Sequence, residues 1–284
     1  MSGSRRKPLR ILFLEFFMSS TVFRVLSLSS LFLIGLAAAA LFGQEELNLL
    51  GSYEDVRSLV DNNTADTNQF VFTRSIYNGR IPYYYKNWYT DYPRADHHLI
   101  EVIHRLTNID IAMKERAIPI NDPDLFKYPF VYSSEEGQMV LSDADAAQLR
   151  TYLLRGGFWV IDDFWGSFEW ANFERQMKKI FPEREIKDIP IDHPIFHLFY
   201  SIDHLIQVPS LAYVFNGGIT WETDGFVPEC KGIWDDEGRL MVVINHNTDL
   251  GDAYEWSDDP SYPNRFSGYA YRMAVNFLMY AMTH

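Results

Sequence analysis

Asp162 and Asp163 follow the apolar run Phe158–Ile161 and precede a Trp-Gly-Ser turn, so two carboxylates stand side by side where a strand ends. Adjacent carboxylates repel, and each holds its proton more tightly unless a cation, a metal or hydrogen-bond donors offset the charge. The functional reading is a ligand or metal site that uses one of them. The structural alternative is that one caps the following helix while the other pairs with Arg74 or Arg80. Both readings stand at this point.

Ligands of an open parallel sheet bind beyond the carboxyl ends of its strands. The expected strand ends carry Arg74, Ser133 with Ser134, the aspartate pair, and Asn245 with His246. Asp192 and His193 follow another strand, in a turn stiffened by Pro194. The ligand-binding candidates are therefore Arg74, Ser133, Asp162, Asp163, Asp192, His193 and His246. Asp162 or Asp163 with His193 and His246 would suit zinc or another transition metal, but no tight ligand spacing supports that set. No metal ligand is assigned, and the cofactor is left open. His97, His98, Glu101 and His104 lie on the polar side of a helix and read as solvated. His197 and His204 sit among large apolar neighbours and read as packing residues. The acidic stretch Asp249–Asp259 lacks the order of a calcium loop and reads as solvated. Tyr83, Tyr84, Tyr85, Trp88, Tyr89 and Tyr92 either stack on a sugar or partner, or cover a sheet edge. The edge cover is favoured.

The elements that would position these residues alternate strand and helix, which predicts an α/β fold. Strands are expected at Gln69–Thr73, Ile109–Ala112, Phe130–Tyr132, Phe158–Ile161 and Ile186–Ile189. A helix over Ala95–Thr107 carries the stripe Leu99, Val102, Ile103 and Leu106. Ser142 caps a second helix, which Gly156 and Gly157 stop. A third runs from the Trp-Gly-Ser turn to Ile180. Lys231–Trp234, a DDEG turn and Arg239–Asn245 form a hairpin, and Phe266–Met282 closes the chain as a helix.

With 47% hydrophobic residues the 284-residue chain can bury a substantial core. A net charge of −13 excludes a nonspecific hold on nucleic acid. Cys230 is the sole cysteine, so neither an internal disulfide nor a cysteine-cluster metal site is available. Val25–Gly43 is an uncharged apolar run preceded by Arg5, Arg6, Lys7, Arg10 and Arg24. That layout is an export signal, cleaved after Ala40, or an uncleaved membrane anchor. Counting from Met18 gives a more ordinary signal. Either reading places the rest beyond the membrane, periplasmic or extracellular, with membrane contact only through this segment. The expected organisation is signal or anchor over 1–43, a lead-in over 44–68, and one α/β domain over 69–284.

Several segments together carry a resemblance: FTRSIYNGR (Phe72–Arg80), WYTDYPRAD (Trp88–Asp96), LRGGFWVIDDFWGSFEW (Leu154–Trp170) and FPEREIKDIPIDHPIF (Phe181–Phe196). They resemble the bacterial domain-of-unknown-function 4159 family, within the class I glutamine-amidotransferase-like superfamily, over roughly residues 69–282. The resemblance implies a flavodoxin-like, mainly parallel sheet with helices on both faces, in exported or envelope-associated proteins. It brings no established activity. Amidotransferase chemistry needs a thiolate on a strand-to-helix elbow with a histidine base. The corresponding elbow here carries Asp162, Asp163 and Phe164, and Cys230 lies elsewhere. The expected role is a non-catalytic binding or assembly domain with an envelope protein or glycan as partner. The alternative is a metal- or carboxylate-assisted hydrolase of a glycan or amide.

Overall fold

Strands buried on both faces read as unbroken apolar runs, and parallel neighbours need helical crossovers to cover those faces. The computed structural model describes residues 69–80 and 87–284. In chain order these form β1 (Thr73–Ile76), β2 (Asn78–Gly79), α1 (Arg94–Leu106), β3 (Arg116–Pro119), β4 (Phe130–Ser134) and β5 (Met139–Val140). There follow α2 (Asp143–Leu154), β6 (Phe158–Phe164), α3 (Gly166–Ile180), β7 (Lys187–Asp188), β8 (Glu229–Trp234), β9 (Leu240–His246), α4 (Leu250–Glu255) and α5 (Asn264–Thr283).

The main sheet has seven strands in the order β3-β1-β4-β6-β9-β8-β7. Its first five are mutually parallel, and β8 runs antiparallel to both neighbours. This is the flavodoxin-like α/β fold expected, with α1, α4 and α5 on one face and α2 and α3 on the other. β2 and β5 pair separately. The core between the sheet and α1 and α5 includes Phe72, Tyr132, Phe158, Val160, Leu99, Ile103 and Phe277.

From β1 the chain goes outward through α1 to the edge strand β3, then returns to the opposite side of β1 as β4. The strand order therefore reverses between β1 and β4, and such a reversal opens a crevice at the carboxyl edge. Local chemistry holds the frame. Ser142 Oγ accepts from the Asp145 amide at 3.1 Å and Asp145 Oδ2 accepts from the Ser142 amide at 2.8 Å, a reciprocal cap that starts α2. Gly156, at φ 106°, ends the chain turn after it.

Some elements differ from the sequence reading. The first strand starts at Thr73, with Phe70 only bridged to Ile111, because the outer partner strand forms at Arg116–Pro119 instead of Ile109–Ala112. The buried stripe of α1 is Ala95, Asp96, Leu99, Ile100 and Ile103, and Leu106 is exposed. β6 runs through both aspartates to Phe164, past the end expected at Ile161. β7 is only two residues long.

Among the described residues no helix is long and apolar enough to cross a membrane. The segments read as export signal or anchor (1–43) and as lead-in (44–68) lie outside the described residues, as do Tyr83, Tyr84 and Tyr85.

Candidate functional site

Arg74, on β1, is wholly buried. Its Nε and Nη2 donate to the Asp96 carboxylate on α1, and Nη1 donates to the Trp88 and Thr90 carbonyls at 3.1 and 2.8 Å. The guanidinium lies 5.0 Å from the Tyr132 ring centroid. Burial works against the charge, but the Asp96 carboxylate outweighs it and holds the guanidinium ionised. Arg74 is therefore engaged with α1 and with the turn that carries Asp91. It is not available to pair with Asp162 or Asp163, nor as a ligand contact.

Asp162 and Asp163 lie in a bulge. Ile161 pairs with Ile244 and Phe164 with His246, so both aspartates oppose the single residue Asn245 of β9. The two side chains meet different partners. Asp162 is wholly buried, and its Oδ2 accepts from Tyr132 Oη at 2.8 Å and from the Leu250 and Gly251 amides at 2.9 and 3.0 Å. It thus secures the start of α4, not of α3. Burial lifts its carboxyl to about 7, against the downward pull of those donors. Its Oδ1 is buried with no hydrogen-bond partner.

Asp163 takes a left-handed backbone, φ 55°, uncommon outside glycine. Its Oδ1 accepts from Trp165 Nε1 at 2.9 Å, and Ser134 Oγ lies 3.4 Å from Oδ2. Three carboxylates converge here: Asp91, from the turn before α1, Asp163, and Asp249, the N-cap of α4. One oxygen from each lies within 4.8 Å of the others. Asp91 forms a second group of this kind with Asp252 and Glu255. Asp163 and Asp249 are 4% and 3% exposed; Asp91 is half-buried, with Oδ2 buried and lacking a hydrogen-bond partner. Burial raises Asp249 well above the usual carboxylate range, and Asp163, Asp252 and Asp91 add to it. Burial raises Asp91 in the same way, with Asp252 and Asp163 adding and Arg74 opposing. Glu136, wholly buried after β4, is also raised by burial, despite the Ser133 hydroxyl and its own amide.

Gly251 makes this packing possible, and a second close approach starts α3 at Gly166. A Cβ on Gly251 would lie 2.2 Å from Asp91 Oδ2. One on Gly166, at φ 71°, would lie 2.0 Å from Asp224 Oδ1, where Asp224 receives the Ser167 amide at 2.9 Å.

Other candidates fall elsewhere. Ser133 is buried on β4 between the Ser75 hydroxyl and Trp159 Nε1, which donates to it at 2.6 Å. It reads as an interior bond, not a ligand contact. After β7 the chain folds back, and His193 packs against Trp234 and Tyr280 beside the start of β9, the end of the sheet opposite the carboxylates. Asp192 is exposed beside it. His246 does end β9, but its ring packs between Phe164 and Trp170 and its Nδ1 lies 3.0 Å from Glu229 Oε2. The set of Asp162 or Asp163 with His193 and His246 is therefore not assembled. Cys230 is 4% exposed on β8; burial pushes its thiol up, and it faces Asn245 Oδ1 at 3.6 Å. His197 and His204 are exposed rather than packed.

The Asp249–Asp259 stretch, read as a solvated loop, instead opens with buried Asp249 and the helix α4. Asp91, Asp249, Asp252 and Glu136 were all missed. The available signal was position. Asp249 stands three residues past the end of β9 and Glu136 two past β4, both strand ends in the sequence reading.

A family model described as domain of unknown function (DUF4159) matches residues 78–282, a span that holds every residue of the carboxylate cluster. No curated protein matches the chain.

Proposed function

We propose, from the premise that the chain belongs to the DUF4159 family, that it is an exported envelope domain that binds its ligand at the carboxyl edge of β4, β6 and β9. The amidotransferase-like elbow would then be kept in shape and changed in chemistry, with Asp163 in place of a thiol nucleophile. The observation that carries this reading is the convergence of Asp91, Asp163 and Asp249 on one point at the carboxyl edge of the sheet. Cys230 supports it from the other side, because a buried thiol with a raised pKa makes a poor nucleophile. The export part rests on the apolar run Val25–Gly43 and its basic flank. A ligand carrying a positive charge, or an envelope protein or glycan that meets the carboxylates through a cation, is the class that such a crevice recognises.

A second reading, a carboxylate-assisted hydrolase of a glycan or amide, is favoured by one feature. Asp162, with its carboxyl pushed up by burial to about 7, lies beside Asp163, and a carboxyl of raised proton affinity suits acid–base work. One experiment addresses both. Asp163→Asn should abolish the biological activity while Cys230→Ser leaves it intact, and a C-terminal reporter should be active only outside the cytoplasm. Retention of a glycan or amide without turnover marks the binding domain, and turnover lost in Asp163→Asn marks the hydrolase. Activity unchanged in Asp163→Asn would remove the crevice from the account.

A further inference from the structure

We propose that Trp221, Phe226 and Val227, with Asp224 among them, form a docking surface for a basic and apolar segment of a partner protein. The surface is made of residues other than the strand-end carboxylates and stands apart from the reading given to them. Trp221, Phe226 and Val227 are 41%, 61% and 65% exposed, and the Trp221 and Phe226 rings meet edge to face at 5.8 Å. Phe168, 69% exposed, follows the Ser167 that Asp224 holds, and Arg80 lies 5.1 Å over its ring. Large apolar side chains gathered on a surface forgo the gain of burial, and such patches mark interaction sites.

The stretch is turned inside out, because its polar groups bond back to the protein. Asp224 accepts from the Ser167 amide and hydroxyl at 2.9 and 2.7 Å. Gln207 Nε2 donates to the Gly225 carbonyl at 2.8 Å, and Asn247 Nδ2 donates to the Val227 carbonyl at 2.9 Å. A Cβ on Gly225 would lie 2.4 Å from Asn247 Oδ1, so the backbone sits directly on the residue that follows β9. A loop fastened in this way, with its rings outward, is ordered before a partner arrives, which lowers the entropy cost of binding. Charge then names the partner. From Asp188 to Cys230 the chain has six carboxylates and no lysine or arginine. Asp224 is exposed, and its carboxylate is held by Ser167 and by no lysine or arginine among the described residues. A segment that brings lysine or arginine beside apolar residues complements both features. Arg80 over Phe168 shows a guanidinium already seated on a ring at this surface. Edge-to-face rings offer no flat platform for a sugar, and the same carboxylates are repelled by anionic lipid.

The test titrates the full chain by calorimetry with a synthetic peptide of alternating leucine and arginine, and with the same peptide carrying glutamate for arginine. Saturable binding of the arginine peptide alone, weakened by salt, is expected. Trp221→Ala and Phe226→Ser should each weaken it about tenfold. Asp224→Asn, whose amide oxygen can still accept from Ser167, should weaken it about threefold and blunt the salt dependence. Phe126→Ser removes an exposed ring between β3 and β4 and should leave binding unchanged. The substituted side chains are exposed, so each variant should melt close to the parent, which separates lost docking from lost folding. Equal binding of the two peptides, no saturable binding, or binding retained in both aromatic variants would overturn the proposal. Phe226-dependent retention of an oligosaccharide or of phosphatidylglycerol vesicles in place of the peptide would overturn it in favour of a glycan or a membrane. If the peptide fails to bind but Asp163→Asn still loses biological activity, the surface falls and the strand-end reading stands. If the peptide binds as expected and Asp163→Asn is neutral, the surface stands and the strand-end reading falls.

Discussion

Two buried charge systems meet at the turn before α1, and they are built on opposite terms. Arg74 and Asp96 form a closed account: one cation, one carboxylate, and backbone carbonyls for the remaining donors. Asp91, next along the same turn, joins Asp163 and Asp249 in one group of carboxylates and Asp252 and Glu255 in another, all of like charge. A balanced pair in the interior positions the chain. An unbalanced group in the interior must take up protons or a cation, and for that reason it is where chemistry is to be sought.

The contrast predicts opposite signs for substitutions in the two systems. Arg74→Met leaves Asp96 buried and alone and frees the turn that carries Asp91, so it should lower stability by about 3–5 kcal/mol in denaturant unfolding. If Arg74→Met unfolded at the parental midpoint, the pair would have no positioning role. Next in size is the pH response of the cation-free protein. Asp162 is raised to about 7, and Asp91, Asp249 and Asp252 are raised too, from an unfolded value near 4. A carboxyl with a raised folded pKa binds its proton more tightly when folded. Its favourable contribution is full below about pH 4 and is lost as pH rises towards 7. Melting temperature should therefore fall over that window and flatten in Asp249→Asn; a rise with pH would contradict the assigned shifts.

Smaller again is Asp249→Asn itself, measured at pH 7 without added cation. It removes one of the crowded charges while asparagine keeps the cap on the Asp252 amide, so stability should rise by about 1 kcal/mol. A loss of that size would mean that the cluster is already balanced. Smallest is Cys230→Ser, worth about 1 kcal/mol or less, since serine can still meet Asn245 Oδ1. Rapid alkylation of native Cys230 at neutral pH would contradict its burial.

The framework was legible in the sequence because its signals are local. The Ser142 cap, the Gly-Gly stop and the apolar start of β6 each involve residues a few positions apart. The site was half legible, since its contacts are distant. An Asp-Asp pair after an apolar run signals a strand end, yet β6 continues because Tyr132 and the α4 amides, 30 and 88 or more residues away, accept Asp162 into the interior. Arg74 looked available until Asp96, on the buried stripe of α1, claimed it. The polar stretch after β9 resembles a solvated loop, yet Asp249 is interior, with its amide on the distant Val208 carbonyl and its carboxylate beside Asp91 and Asp163. His193 was misplaced because β7 is so short that the chain has turned back before reaching the crevice.

That brevity of β7 bears on how the domain meets other proteins. Both of its residues are exposed, and ion pairs to Glu185 and Lys231 line it with charge. A short, charged margin offers no template of free amides and carbonyls for a foreign strand to lengthen the sheet. Self-association by β-augmentation is thereby blocked on this side, and a protein docking there must be recognised by side chains rather than by shared backbone.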